Sequence, residues 1–185
     1  MQTDSQTLYY VIGAVVVIAI IAIVIVEARR AKSARLHQRF GPEYDRVVRA
    51  RGDRSAAESE LAAREARVRS MHIEELPPGA QERYTEEWRA VQARFVDAPQ
   101  RAVREADRLV GTVMRDRGYP VENFEQRVAD ISPDHPRVVE NYRVAHDIAN
   151  RSERGEITTE ELRRAMVHYR TLFEELLGTK ERTMS

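Results

Sequence analysis

The strongest constraint on this chain is an uncharged apolar run, LYYVIGAVVVIAIIAIVIV, at residues 8–26. As a helix this run rises about 28 Å, close to the hydrocarbon thickness of a bilayer. Tyr9 and Tyr10 suit the interfacial layer at one end. A cleaved signal peptide is disfavoured, because the leader MQTDSQT has no basic residue and VEARRAKSAR follows the run without a clear cleavage site. We therefore predict a single transmembrane helix within residues 1–41.

The charges that flank the run predict its orientation. Arg29, Arg30, Lys32 and Arg35 follow the span, whereas no basic residue precedes it. By the positive-inside rule the N-terminus lies outside the bacterial cell membrane and residues 27–185 lie in the cytoplasm. The same side chains, with Tyr9 and Tyr10, are the predicted contacts with the lipid bilayer.

Residues 42–76 are interpreted as a charged helical spacer. Gly41 and Pro42 end the first helix, and Gly52 separates a short helix from one rich in Ala, Glu and Arg. Leu61 and Val68 lie a heptad apart in that helix, which is a weak coiled-coil pattern. A homodimer through the spacer helix is therefore a further prediction.

The apolar periodicity strengthens after EELPPGAQ and continues to Gly178. Apolar residues recur there at three- and four-residue spacing, and no segment alternates as a half-buried strand would. Asp97 and Asp134 are expected to be helix N-caps, and Thr158 with Glu161 forms a capping box. The prediction is an all-α fold: one transmembrane helix, a helical spacer, a four- to five-helix bundle at 77–178, and a disordered tail at 179–185.

The stretch DISPDHPRVVENYRVAH, at 130–146, concentrates groups that bind metals or transfer protons. The start of a helix explains its prolines and Asp134, because aspartate is a common N-cap and proline is tolerated in the first helical turn. His135 and His146 would lie about 16 Å apart along one helix, too far for a shared ion. We predict no metal site, and a His146–His168 pair remains the weaker alternative.

A set of interior side chains is the predicted ligand pocket: Tyr142, His146, His168 and Tyr169. Asp107 lies at the edge of an apolar stripe and is expected to pair with Arg94 or Arg143. The chain has no cysteine, no HExxH, no GxSxG and no glycine-rich phosphate loop. No catalytic residue and no cofactor are therefore predicted. With 30 basic and 30 acidic residues the chain also lacks the basic excess of a nucleic-acid binder.

Five phrases carry a family resemblance: FGPEYDRVV, WRAVQARFVDAP, MRDRGYPVENFEQR, DHPRVVENYR and TEELRRAMVHYRTLFEELL. Across 40–178 the chain resembles a family of small single-span membrane proteins of actinobacteria and other GC-rich bacteria, described as hypothetical, membrane or secreted proteins. The resemblance implies a membrane location and supplies no activity, cofactor or functional residue. The description as secreted disagrees with the positive-inside argument, so the orientation stays open.

These observations predict a membrane-anchored adaptor or scaffold that docks another protein, rather than an enzyme. The alternative is a helical bundle that senses a ligand or cofactor at the membrane or in the cell envelope.

Overall fold

The computed structural model describes residues 3–155 and 157–178, which are all-helical and contain no strand. The predicted all-α class is confirmed over these residues. The predicted disordered tail at 179–185 lies outside them. The helices are α1 (Thr3–Phe40), α2 (Pro42–Arg51), α3 (Arg54–Ser70), α4 (Ala80–Arg94), α5 (Pro99–Asp116), α6 (Phe124–Ile131), α7 (Pro136–Glu153) and α8 (Thr159–Leu176).

Helix α1 is continuous from the apolar run to Phe40, as predicted. It is the one helix, among the described residues, that is long and apolar enough to cross a membrane. Its large Val and Ile side chains between Ile12 and Val26 are exposed; Ile18, for example, is 66% exposed. A contiguous exposed apolar surface of this kind is typical of a segment that contacts a membrane or another protein.

The end of α1 packs with α2 and α3 around a small cluster, here called the N-terminal core. Gly41, with φ of 51°, turns the chain into α2, and Gly52, with φ of 69°, turns it into α3. The apolar face of α3 is thus buried within the chain, and the predicted spacer packs against the end of α1. A homodimer through α3 stays a prediction, although that face is already covered. The N-terminal core consists of Leu36, Phe40, Tyr44, Val47, Ala57 and Leu61.

The remaining helices share a second and larger cluster, the C-terminal core. Helix α8 packs on α5 and α7, α4 packs on α5, and α6 packs on α7. The apolar stripe of α8 is buried throughout. Trp88 of α4 stacks on Phe173 of α8, with ring centroids 4.9 Å apart. That stripe comprises Leu162, Ala165, Met166, Tyr169, Leu172, Phe173, Leu176 and Leu177.

The segment between α3 and α4 is attached to the C-terminal core rather than free. Met71, Ile73 and Leu76 pack against that core. The Glu74 amide donates to the Arg117 carbonyl at 3.0 Å. Residues 71–79 therefore join the two cores closely.

The predicted capping box of α8 is confirmed, since Thr158 and Glu161 each bond the other's backbone amide. The predicted caps Asp97 and Asp134 are wrong. The N-caps are Ala98 and His135, and neither makes a side-chain cap bond. The reason is that a proline follows each of them at the first helical position, which places each aspartate one residue too early.

Candidate functional site

Four helices bring polar side chains together inside the C-terminal core. We call this group the interior polar cluster. It forms where α5 and α8 pack against α6 and α7, and its members are separated in sequence by up to 62 residues. The cluster consists of Asp107 from α5, Arg127 from α6, Tyr142 and His146 from α7, and Tyr169 from α8.

Asp107 is the centre of the interior polar cluster. The Tyr169 hydroxyl donates to its Oδ1 at 3.2 Å, and the His146 Nδ1 lies 3.7 Å from the same oxygen. The Arg127 guanidinium lies 3.8 Å from Oδ2. Burial acts to raise the pKa of Asp107, but the neighbouring His146 and Arg127 outweigh it, so the pKa is lowered. Asp107 is thus a carboxylate at neutral pH.

Aromatic rings hold the histidine and the arginine in place. The His146 ring stacks on Phe124, with centroids 3.6 Å apart and planes 7° apart. Phe124 also meets the edge of Tyr142 at 5.0 Å. Arg127 lies over both Phe124 and Tyr142, 5.9 Å and 5.7 Å from the centroids. These contacts favour a charged guanidinium through cation–π attraction.

Gly111 makes room for this arginine. A Cβ at this position in α5 would lie 3.2 Å from Arg127 Nη1. A glycine inside a helix costs about 1 kcal/mol relative to alanine. The close approach of Arg127 accounts for its presence.

Two buried tyrosines border the carboxylate and remain neutral. Burial, reinforced by the negative charge of Asp107, raises the pKa of Tyr142 and of Tyr169 well above the usual range. Both are therefore hydrogen-bond donors rather than bases. The Tyr142 hydroxyl, the His146 Nδ1 and the Arg127 Nε are buried and form no hydrogen bond with any residue described.

Three of the four predicted pocket residues lie in this cluster. Tyr142 is 6.1 Å from Tyr169 and 6.5 Å from His146 between ring centroids. His168 is half-buried one position earlier on α8, and no described contact joins it to the other three. Burial, with a smaller effect of Arg164, lowers the pKa of His168.

The predicted partners of Asp107 are wrong. Arg94 pairs with Glu105, and Arg143 pairs with Glu43 at 3.0 Å and Glu125 at 2.9 Å. The actual partner, Arg127, was missed because α6 is short and its position against α5 has no local sequence signal.

The titratable groups of the 130–146 stretch face different partners. Asp130 Oδ1 accepts from Arg67 at 3.1 Å and from Gln126 at 2.7 Å. Asp134 accepts from Arg39 at 3.0 Å, and His135 lies 3.3 Å from Glu175. Burial raises the pKa of Asp130. Over the described residues, no three His, Asp or Glu side chains are grouped so that they could hold a metal ion.

The predicted membrane-interface residues occupy both ends of the apolar run. Tyr9 and Tyr10 are strongly exposed. Arg30 pairs with Glu27 at 3.0 Å. Arg35 makes a bidentate pair with buried Glu65, at 3.0 Å and 3.1 Å, and so supports the N-terminal core. Arg29 and Lys32 line an open groove beside α3.

Ion pairs connect the two cores, and those of Glu43 are buried. Glu43 of α2 is only 2% exposed, and it accepts from Arg64 of α3 and Arg143 of α7, each at 3.0 Å. Arg67 of α3 bonds Asp130 of α6, and Arg39 of α1 bonds Asp134. The folded part is therefore linked to the end of α1 by contacts as well as by the chain.

No family model matches this chain, and no curated protein or solved structure is similar to it. The family resemblance of residues 40–178 therefore stays a prediction.

Proposed function

We propose that this chain is a single-pass protein of the bacterial cell membrane that presents a helical bundle, 77–178, in a fixed orientation for docking another protein. The observation that carries the proposal is the continuity of α1. One helix runs from the exposed apolar segment into the N-terminal core, where Leu36 and Phe40 are fully buried.

The distribution of apolar side chains on α1 favours lipid over a partner helix. Exposed Val and Ile side chains run almost without interruption from Ile12 to Val26. Successive residues turn by 100°, so these side chains surround the helix. A helix that pairs with another helix has an apolar stripe along one side only. An apolar surface on every side is typical of a membrane span.

The junction between anchor and folded part supports a fixed orientation. Arg35 and Glu65 join α1 to α3 by two hydrogen bonds, and Ser33 donates to Glu58. A flexible tether would lack these contacts. The bundle would thus be held at a set height and angle to the bilayer, as a docking platform requires.

The described surface of the folded part is polar and favours reversible docking. Beyond α1, two large apolar side chains are exposed among the residues described, Val96 and Val167. Mixed-charge surfaces of this kind give specificity and fast association more than high affinity. The proposal assigns no catalytic activity to the domain.

The proposed orientation, with the domain in the cytoplasm, is supported by the basic residues Arg29, Arg30 and Lys32, which follow the apolar run. The chain has no native cysteine, so single cysteines at Ser5 and Ser185 report topology directly. In intact cells, a membrane-impermeant maleimide should label only the Ser5→Cys protein. Labelling at Ser185→Cys would place the domain outside, and a cell-envelope partner would replace the cytoplasmic one.

Photo-crosslinking in cells tests the docking function. A photoreactive residue at Val96 or Val167 should give a discrete adduct with another protein, and the same residue at buried Val110 is the control. Adducts with the chain itself alone would overturn the docking proposal.

A second candidate function is ligand sensing by the interior polar cluster. The observation that favours it is the group of buried polar atoms without hydrogen-bond partners on Tyr142, His146 and Arg127. A small molecule that raises the melting temperature of the full chain, and no longer does so in His146→Ala, would support sensing over docking.

A further inference from the structure

The N-terminal core brings residues distant in sequence to the end of the apolar run. Tyr44 at the start of α2 lies beside His37 of α1, with ring centroids 5.1 Å apart. From there α2 runs back along α1, and its ten residues rise about 15 Å. The turn at Gly52 therefore lies level with Arg30 and Lys32.

An open groove separates α1 from this turn. Val26 and Arg29 line it from α1, and Asp53, Arg54 and Ser55 line it from the start of α3. Its volume of about 880 Å³ falls in the range of ligand sites.

The two carboxylates of the groove, Glu58 and Asp53, already accept hydrogen bonds from within the chain. Glu58 accepts from Ser33, Tyr44 at 2.8 Å and Arg54 at 3.1 Å. Asp53 caps α3 by accepting from the Ala56 amide at 2.7 Å.

The basic side chains of the groove, in contrast, retain free donors. Arg29 and Lys32 pair with no carboxylate among the residues described, and Arg54 uses only its Nε in the contacts described. Arg30 also lines the groove, but it pairs with Glu27, which lies outside the lining. The groove thus offers a net positive charge to an anion.

The height of the groove identifies its occupant. Val26 ends the apolar run, and Arg29 and Lys32 lie about 4.5 Å and 9 Å beyond it along the helix. The headgroup layer on each side of a bilayer is about 5–8 Å thick. Arg29 therefore lies within the headgroup layer, and Lys32 lies just beyond it, from where its long side chain can extend back to lipid phosphates.

We propose that this groove binds the headgroup phosphate of one anionic phospholipid, held by Arg29 and Lys32 of α1 together with Arg54 of α3. The inference rests on the proposed membrane anchor. It goes beyond general attraction between basic residues and lipid, because Arg54 reaches the site only when α2 and α3 are folded against α1.

Native mass spectrometry of the full-length protein in detergent tests the site. With phosphatidylglycerol added, we expect one lipid retained in preference to phosphatidylcholine. Arg29→Gln and Arg54→Gln should each weaken retention about fivefold, the effect of one charge near an anionic surface. The matched control is Arg49→Gln. It also removes one positive charge close to the turn at Gly52, but Arg49 does not line the groove.

Several outcomes would overturn the site. Equal retention of phosphatidylcholine would do so, as would binding of inorganic phosphate with the affinity of the lipid. An effect of Arg49→Gln as large as that of Arg54→Gln would show diffuse attraction instead. Arg54 also bonds Tyr44, so Arg54→Gln could disturb the fold. Arg29→Gln breaks no described contact, and it therefore keeps the test valid if Arg54→Gln misfolds.

Insertion into vesicles of pure phosphatidylcholine separates this inference from the anchor itself. A chain that fails to resist carbonate extraction from such vesicles contradicts the membrane function. A chain that inserts but shows no preference for phosphatidylglycerol contradicts only the headgroup site.

Discussion

At the scale of single residues, Gly118 shows why one position after α5 must lack a side chain. Its φ is +91°, and a Cβ there would lie 2.1 Å from the His72 carbonyl oxygen. We expect Gly118→Ala to destabilise the protein by more than the about 1–3 kcal/mol typical of backbone strain, because strain and overlap with backbone add. Denaturant unfolding followed by the fluorescence of Trp88, the single tryptophan, measures the loss.

Gly155→Ala is the control for Gly118→Ala. Gly155 has a φ of +77°, but a Cβ there would meet nothing within 4 Å. It therefore carries the strain without the overlap. Equal losses in the two variants would contradict the close packing of residue 72 against residue 118.

Relative to the unchanged protein, the stabilities of Asp130→Asn and Asp107→Asn should change with pH in opposite directions. Burial raises the pKa of Asp130 above its ordinary 3.8, so its ionised form costs stability once the pH exceeds that value. We expect Asp130→Asn to gain stability relative to the unchanged protein as the pH rises from about 4 to 7. Melting temperatures of both proteins across this range provide the test.

Asp107→Asn is the counterpart of Asp130→Asn. Burial opposes the ionised form of Asp107, but His146 and Arg127 outweigh it and lower its pKa below 3.8. Its stabilising contribution is therefore complete well above pH 3.8 and disappears as the pH falls through the lowered pKa. The deficit of Asp107→Asn should shrink on acidification. Parallel pH profiles for the two variants would contradict the assigned environments.

At the scale of elements, the start of α8 depends on a single hydroxyl. Thr158 Oγ1 accepts from the Glu161 amide at 3.2 Å, and Glu161 Oε2 accepts from the Thr158 amide at 3.0 Å. Thr158→Ala should cost about 1 kcal/mol, the typical value of an N-cap. Thr158→Ser keeps the hydroxyl and should lose much less. Trp88 reports the unfolding, because its ring stacks on Phe173 of the same helix.

The helices were predictable because their signals are local. The apolar run, the stripe of α8 and the box at Thr158 each lie within a few turns of one segment. The wrong N-cap predictions at Asp97 and Asp134 also have a local cause. The proline at the first helical position fixes the N-cap as the residue before it, and this outweighs the preference for aspartate at the N-cap. Boundaries and faces of helices therefore follow from short-range chemistry.

The sites were only partly predictable because they depend on how helices pack. Tyr142, His146 and Tyr169 share buried faces, which periodicity indicates. Arg127 does not reveal itself in this way, since its contact with Asp107 exists only once α6 lies across α5 and α7. The packing of Ala57 and Leu61 with Leu36 and Phe40 of α1 likewise depends on how the helices meet, and no local sequence signal indicates it.

At the scale of the whole molecule, Arg143 links the two cores. Its side chain is 9% exposed and bonds Glu43, which is 2% exposed. Without Arg143, Glu43 still pairs with Arg64 at 3.0 Å, so the loss should be smaller than the about 3–5 kcal/mol of a fully unpaired buried charge. Because Glu43 belongs to α2, this cost falls on the contact between the cores rather than on the interior of the C-terminal core.

We therefore expect Arg143→Met to uncouple the cores as well as destabilise the protein. Trp88 fluorescence reports the C-terminal core, and a dye on Ala57→Cys or Val48→Cys reports the N-terminal core. The two denaturant transitions should coincide in the unchanged protein and separate in Arg143→Met, with the N-terminal core unfolding first. Val48 is the better labelling position, since Ala57 is fully buried.

Two further variants show whether the buried pair itself is responsible. Arg151→Met removes the same charge from α7, but Arg151 bonds Asp147 and Glu161 within the C-terminal part, so the transitions should stay together. Glu43→Gln combined with Arg143→Met removes both charges of this pair and should recover part of the lost stability, because no buried carboxylate then faces the apolar side chain at position 143. If the transitions of Arg143→Met coincide, the remaining contacts, including Arg67 with Asp130 and Arg39 with Asp134, hold the cores together without Arg143.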